Sequence, residues 1–210
     1  MTSDSSPREP RQERGRATRR SLLDATIQSL ADVGWSGTTV VAVAARAGVS
    51  RGAAQHHFGT RDDLVRAAVE QVTDELTREL RLQQRVLAGS TDRVLGALEI
   101  LADVWSGTVG RAATHLWVAA STDPTLRELV VPLERRLNRE MFQVAAHLIG
   151  ADTSEPKTRQ SVGISLQLLR GVGLSSLLGR DPAARRTELA QFAAMLGTVM
   201  RTEPVTTPSA

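Results

Sequence analysis

Apolar residues recur every three or four positions from about residue 17 to residue 200, and this spacing is typical of amphipathic α-helices. β-Branched residues do not alternate with polar ones, and no Asn-Gly or Asp-Gly hairpin turn is present. The clearest run keeps one face apolar for about six turns. Its members are Leu126, Val130, Leu133, Leu137, Met141, Val144 and Leu148. The pattern predicts an all-α fold.

Breaks in the pattern divide it into helices. Gly34 is a stop for the first helix, and Thr60 with Asp63 resembles a capping box at the start of a long one. The sequence predicts helices over about 17–33, 39–46, 51–57, 60–88, 93–107, 111–121, 124–149, 157–178 and 183–200. The polar ends, residues 1–14 and 204–210, are predicted to be a disordered basic arm and a disordered tail.

Positive charge is concentrated in the first third of the chain. The formal net charge is +3, and residues 1–66 carry all of this excess, with ten arginines against seven acidic residues. This placement is typical of a segment that meets a polyanion. A cluster of arginines at positions 11, 14, 16, 19 and 20 is either a solubilising tail or a DNA contact, and the sequence leaves both open.

Residues 38–58 carry the candidate chemistry. Thr39 can cap one short helix, Gly48 suits a left-handed turn that Val49 fills, and Ser50 can cap a second short helix. This is the helix-turn-helix arrangement, whose second helix enters the major groove of DNA. Arg51 can pair with guanine or phosphate and Gln55 with adenine. The remaining predicted contacts are Gly52 and Ala53, which permit close approach, His56 and His57, which offer donors, and Arg61, which faces phosphate.

The run from Thr38 through Phe58 to Leu64 resembles the TetR-family signature: a Thr-capped helix, Ala-x-x-Ala-Gly-Val-Ser, and a short helix that ends in His and aromatic residues. The resemblance implies a dimeric regulator, with a helix-turn-helix domain over 15–66 and an effector-binding and dimerisation domain over 67–203. It implies DNA contacts at Thr39, Arg51, Gly52, Ala53, Gln55, His56, His57 and Arg61, and we include Ser50 in this set. Gln55 stands where many members have tyrosine, so the base preferred there is expected to differ.

The C-terminal domain matches the family only in architecture. Six residues are candidates for an effector site, with core packing as the alternative for each: Trp105, His115, Trp117, Met141, Phe142 and Gln167. Two apolar strips on the last two helices are candidates for a dimer interface, with closure of a monomer core as the alternative. They comprise Val162, Leu166, Leu169 and Gly173, and Leu189, Phe192, Met195, Leu196 and Val199.

The sequence therefore predicts a DNA-binding transcriptional regulator, expected to be a cytoplasmic repressor that binds a palindromic operator as a homodimer and is released by a small-molecule effector. The alternative is a constitutive or architectural DNA-binding protein without an effector. No Gly-x-Ser-x-Gly elbow, phosphate loop or His-carboxylate metal motif is present, so we expect no enzyme activity. The chain has no cysteine and no apolar run of membrane-spanning length, so we expect no cofactor, no metal and no membrane partner.

Overall fold

The computed structural model describes residues 9–87, 92–179 and 181–200, and in these ranges it contains nine α-helices and no strand. The helices are α1 Glu9–Gly37, α2 Val40–Arg46, α3 Arg51–His57, α4 Arg61–Leu87, α5 Arg93–Ser106, α6 Thr108–Thr122, α7 Pro124–Ile149, α8 Pro156–Ser176 and α9 Pro182–Met200. The predicted all-α fold is confirmed. No helix in the described ranges combines the length and the apolar character needed to cross a bilayer.

Helix α1 differs from the prediction at its start. It begins at Glu9, so residues 9–14 are helical rather than disordered, and this part of the predicted arm is corrected. Pro10 stands in the first turn, where a helix makes no use of the backbone N–H that proline lacks. Residues 1–8 and the predicted tail 204–210 lie outside the described residues.

The first of two compact units comprises residues 1–75 and 108–135. Helix α1 packs along α6, and α1 also contacts α2 and α3. The core of this unit draws on every helix that enters it. Its larger members are Leu22, Leu23, Leu30, Val43, Phe58, Leu64, Val65, Leu116, Leu126, Leu129, Val130 and Leu133. The three-helix region of the predicted DNA-binding domain thus shares its core with α6 and the start of α7.

A glycine kink ends the straight part of α1. Gly34 has φ 66° and ψ −169°, and its carbonyl accepts a hydrogen bond of 2.7 Å from the buried Thr38 hydroxyl. A Cβ at this position would lie 2.9 Å from Nδ1 of His115 on α6. The kink sets the direction in which the chain enters α2.

The second unit comprises residues 76–107 and 136–210, and in it α5 packs against α8 and α9. The closest approach is at Gly173, where a Cβ would lie 2.6 Å from the Trp105 carbonyl oxygen. Arg93 closes the end of α7, because its guanidinium donates to the carbonyls of Leu148 at 2.8 Å and His147 at 2.7 Å. In the loop after α7, hydrogen bonds from the Ser154 hydroxyl and backbone lower the pKa of Asp152.

Candidate nucleic-acid interface

Helix α2 begins at a side-chain cap and is anchored by two buried residues. The Thr39 hydroxyl accepts a hydrogen bond of 3.1 Å from the backbone N–H of Ala42, which would otherwise lack a partner in the first turn. Val43 and Ala44 are buried and point into the core of the first unit. The predicted Thr39 cap is therefore confirmed.

The turn between α2 and α3 is a Schellman motif. Gly48 has φ 65°, a left-handed conformation that favours glycine, and its N–H donates to the Ala45 carbonyl at 3.2 Å. The N–H of Val49 donates to the Ala44 carbonyl at 2.9 Å, and Val49 packs against the core. These two bonds use the carbonyls left open at the end of α2 and fix the angle at which α3 departs.

Helix α3, the candidate recognition helix, is held from one side only. The Ser50 hydroxyl accepts a hydrogen bond of 3.2 Å from the Ala53 N–H, while Ala54 and the adjoining Phe58 are buried. The opposite face carries Arg51, Gly52, Gln55 and His56, all exposed, with Ala53 and His57 half-buried beside them. A seven-residue helix with so small a buried face leaves its polar residues available to a partner.

Gly52 adds to the openness of this surface. A Cβ built at Gly52 meets nothing within 4 Å, so packing within the chain does not require a glycine there. The rings of His56 and His57 meet edge to face with 5.8 Å between centroids, and the His57 ring also lies 6.4 Å from that of Phe58. In the described part of the chain, no group of three His, Asp or Glu residues is arranged to hold a metal ion.

Arg61 follows α3 and is held against an aromatic ring. Its guanidinium lies 3.6 Å from the centroid of the Trp35 ring and donates to the Trp35 carbonyl at 3.4 Å. Thr60 caps α4 as predicted, because its hydroxyl accepts from the Asp63 N–H at 3.1 Å and donates to the Asp63 carboxylate at 2.7 Å. Arg61 is therefore presented from a fixed helix start.

The basic part of α1 lies beside the end of α3. The Arg19 guanidinium lies over the ring of Phe58, 5.4 Å from its centroid. Arg16 is exposed, and Arg20 pairs with Glu75 at 3.2 Å. The sequence left these arginines open between a solubilising tail and a DNA contact; their place next to α3 depends on α1 being helical through this segment.

The six predicted effector residues are divided between the two compact units. His115 and Trp117 belong to the first compact unit, whereas Trp105, Met141, Phe142 and Gln167 belong to the second. His115 lies against Gly34, Gln167 is exposed, and Met141 is fully buried. Trp105 is buried with the Arg170 guanidinium 5.1 Å from its ring centroid. The assignment of these six residues to an effector site stays a prediction.

The predicted dimer strips are mostly buried within the protomer, and the interface itself stays a prediction. Six of their nine residues are buried inside the protomer, where they pack α8 and α9 against α5: Val162, Leu166, Leu169, Gly173, Leu189 and Leu196. Phe192 is half-buried, and Met195 and Val199 are exposed. The outer surface of α8 carries other apolar residues that sequence reasoning missed, namely Ile164 and Leu174, and Leu178 is exposed in the turn that follows α8.

Comparison with known proteins identifies the family. A family model described as bacterial regulatory proteins, tetR family, matches residues 22–68, which include α2, α3 and the start of α4. The chain is 30% identical over 173 residues to the HTH-type transcriptional regulator CymR of Pseudomonas putida, covering 80% of this chain and 84% of that protein.

Solved structures agree with this assignment at the level of the fold. A transcriptional regulator from Rhodococcus sp. Rha1 superposes with a TM-score of 0.65 at 25% identity, covering 89% of this chain and 99% of that one. The multidrug binding protein EbrR, complexed with malachite green, superposes with a TM-score of 0.61 at 20% identity over 88% and 98% of the two chains. The chain belongs to the TetR family of bacterial regulators and is a DNA-binding transcriptional regulator.

Proposed function

We propose that the protein is a repressor that binds a palindromic operator as a homodimer through α3 and leaves it when a small molecule binds. The observation that carries the proposal is the exposed polar face of α3, held in place by Ala54 and Phe58 on the opposite side. A short helix with an exposed arginine and amide next to a glycine fits the close approach and base pairing of the major groove.

Two residues of α3 are assigned to base recognition. Arg51 would donate two hydrogen bonds to a guanine edge, and Gln55 would pair with an adenine edge through its amide. Gly52 and Ala53 would allow the helix backbone to approach, and His56 and His57 would donate to bases or phosphates. Thr39, Ser50 and Arg61 lie at three helix starts, where backbone N–H groups and positive charge favour phosphate.

The dimer would form through the outer surface of α8 and α9. Ile164, Leu174, Met195 and Val199 are large apolar side chains on this surface, and all are more than half exposed in the protomer. Pairing this surface with its symmetry mate would remove apolar area from water and place two recognition helices on one operator. Met195 and Val199 belong to the strips that the sequence predicted, and Ile164 and Leu174 are added to them.

Release by a small molecule is supported by the relatives of similar fold. EbrR is described as a multidrug binding protein, and its structures include complexes with malachite green and with ethidium. The second compact unit of this chain contains a cavity between α4 and α5 that is large enough for a small-molecule effector. We therefore assign the effector site to this unit.

The DNA contacts are tested with duplexes selected by the wild-type protein from a random pool. We expect Arg51→Ala and Gln55→Ala each to weaken binding to the selected duplex by about 1–3 kcal/mol, while non-specific binding changes little. Arg135→Ala, which removes an exposed arginine from α7, is the matched control and should leave binding unchanged. An unchanged sequence preference in Gln55→Ala, measured by repeating the selection, would contradict the placement of α3 in the groove.

The dimer is tested by sedimentation of a double variant, Leu174→Glu with Met195→Glu. Placing four carboxylates in one interface should give a helical monomer with much weaker operator binding, because each half-site is then bound singly. Val118→Glu is the control, because it introduces the same charge at an apolar residue on α6, outside the proposed interface. Val118 is 65% exposed, which matches the 66% exposure of Met195 on α9. A wild-type protein that sediments as a monomer at micromolar concentration would refute the dimer.

A further inference from the structure

A cavity of about 390 Å³ lies between α4 and α5 in the second compact unit. We call it the α4–α5 cavity; it is lined by Leu76, Glu79, Leu80, Gln83, Ile100, Asp103 and Val104. Small-molecule sites are usually larger than about 300 Å³, mostly apolar, and furnished with a few polar groups. The α4–α5 cavity meets these three conditions.

The walls of the cavity are apolar on both helices. Leu76 and Leu80 are one turn apart on α4, and Ile100 and Val104 are one turn apart on α5. Leu76, Ile100 and Val104 are only half-buried, so part of their apolar surface still faces open space. A ligand that covered them would remove this surface from water, which favours an apolar body in the cavity.

Among the residues that the structure describes, the polar groups lining the cavity are two carboxylates and one amide, and none of these lining residues is basic. Asp103 is already compensated, because the Arg185 guanidinium of α9 lies 2.7 Å from its carboxylate and also 3.3 Å from the Ser106 hydroxyl. Glu79 is exposed and forms no ion pair with any residue that the structure describes. The Glu79 carboxylate is therefore an uncompensated negative charge that lines an otherwise largely apolar cavity.

We propose that the α4–α5 cavity binds small lipophilic cations, with the apolar body against Leu76, Ile100 and Val104 and the positive charge toward Glu79. The assignment rests on the proposed function, because it names the chemical class of the effector. A lipophilic anion would bury the same apolar surface but would be repelled by Glu79, so charge gives the cavity its selectivity.

A neighbouring cavity between α4 and α7 has the opposite character. It measures about 220 Å³, is lined by Arg81, Gln143, Val144 and His147, and is smaller than most ligand sites. Arg81 is also already paired with Glu140, 3.7 Å away. Size and charge therefore favour the α4–α5 cavity for an apolar cation.

The test compares two ions of the same shape and opposite charge, tetraphenylphosphonium and tetraphenylborate, by calorimetric titration into the full-length protein without DNA. We expect the wild type to bind the cation and to bind the anion at least about tenfold more weakly. Glu79→Gln should weaken cation binding about three- to fivefold, the upper part of the range measured for exposed ion pairs. Glu128→Gln, which neutralises an exposed carboxylate on α7, should leave cation binding unchanged.

Val104→Phe provides a second variant, because a larger side chain on the wall would occupy the cavity while the fold is monitored by circular dichroism. It should reduce cation binding more than Glu79→Gln does. Equal binding of the two ions, no binding of the cation, or cation binding unaffected by both variants would overturn the proposal. Cation binding that depends on Glu79 but leaves the operator complex intact would support the cavity as a cation site and refute effector release.

Discussion

Replacement of Gly34 by alanine tests the kink at the end of α1. Gly34 is buried, and its φ of 66° with ψ of −169° falls in a region that only glycine adopts readily. The strain of placing another residue there is about 1–3 kcal/mol. The new Cβ would also lie 2.9 Å from Nδ1 of His115, closer than such atoms normally approach, so α6 or the imidazole must move. This crowding adds about 1 kcal/mol.

We therefore expect Gly34→Ala to destabilise the protein by about 2–4 kcal/mol. For a chain of this size, each kcal/mol lowers Tm by about 2–4 °C, so the expected fall is about 4–16 °C. The measurement is thermal unfolding followed at 222 nm with both proteins at the same concentration. Gly15→Ala is the control within the same helix, since a Cβ there meets nothing within 4 Å.

A second substitution separates the two contributions. His115→Ala in the Gly34→Ala background should recover about 1 kcal/mol, because it removes the crowding and leaves the backbone strain. A Tm of Gly34→Ala within about 1 °C of the wild type would refute the reasoning, since neither strain nor crowding would then be present. An additive double-mutant cycle would refute the His115 contact alone.

Gly173, Ser50 and Arg16 offer three further tests. Gly173→Ala should destabilise by about 1–3 kcal/mol in urea unfolding, because its Cβ would lie 2.6 Å from the rigid Trp105 carbonyl; unchanged stability would contradict that packing. Ser50→Ala should cost about 1 kcal/mol of stability and Ser50→Thr much less, since only the hydroxyl caps α3; equal losses would argue against the cap. Arg16→Ala should weaken binding to all duplexes alike and reduce the dependence of affinity on salt concentration, measured by titration at several salt concentrations. A loss of binding confined to one sequence would exclude a phosphate contact.

The helix-turn-helix could be predicted closely because its signals are local. Thr39, Gly48 and Ser50 act within four residues of their own positions, through caps and a turn whose geometry the residue type specifies. The same holds for Thr60 and Asp63 at the start of α4. Such features do not depend on how distant helices pack.

The proposed effector site and dimer interface could not be predicted from the sequence in the same way. On α8 the buried Val162, Leu166 and Leu169 and the exposed Ile164 and Leu174 are all apolar at helical spacing. Periodicity identifies such faces but does not say which one meets α5 and which one meets solvent. Likewise, Glu79 and Asp103 became candidates only because folding brings α4 and α5 side by side at one cavity.

The stacking of Arg61 on Trp35 bears on the entropy of the DNA contact proposed for Arg61. A free arginine samples many rotamers, and fixing it at an interface costs about 0.5–1.5 kcal/mol. In this chain Trp35 restricts that freedom before DNA arrives, since the ring lies 3.6 Å from the guanidinium and the carbonyl holds one of its N–H groups. Under the proposed phosphate contact, folding rather than binding would supply the ordering of Arg61. Trp35→Leu would then leave the charge in place but make operator binding more entropically unfavourable.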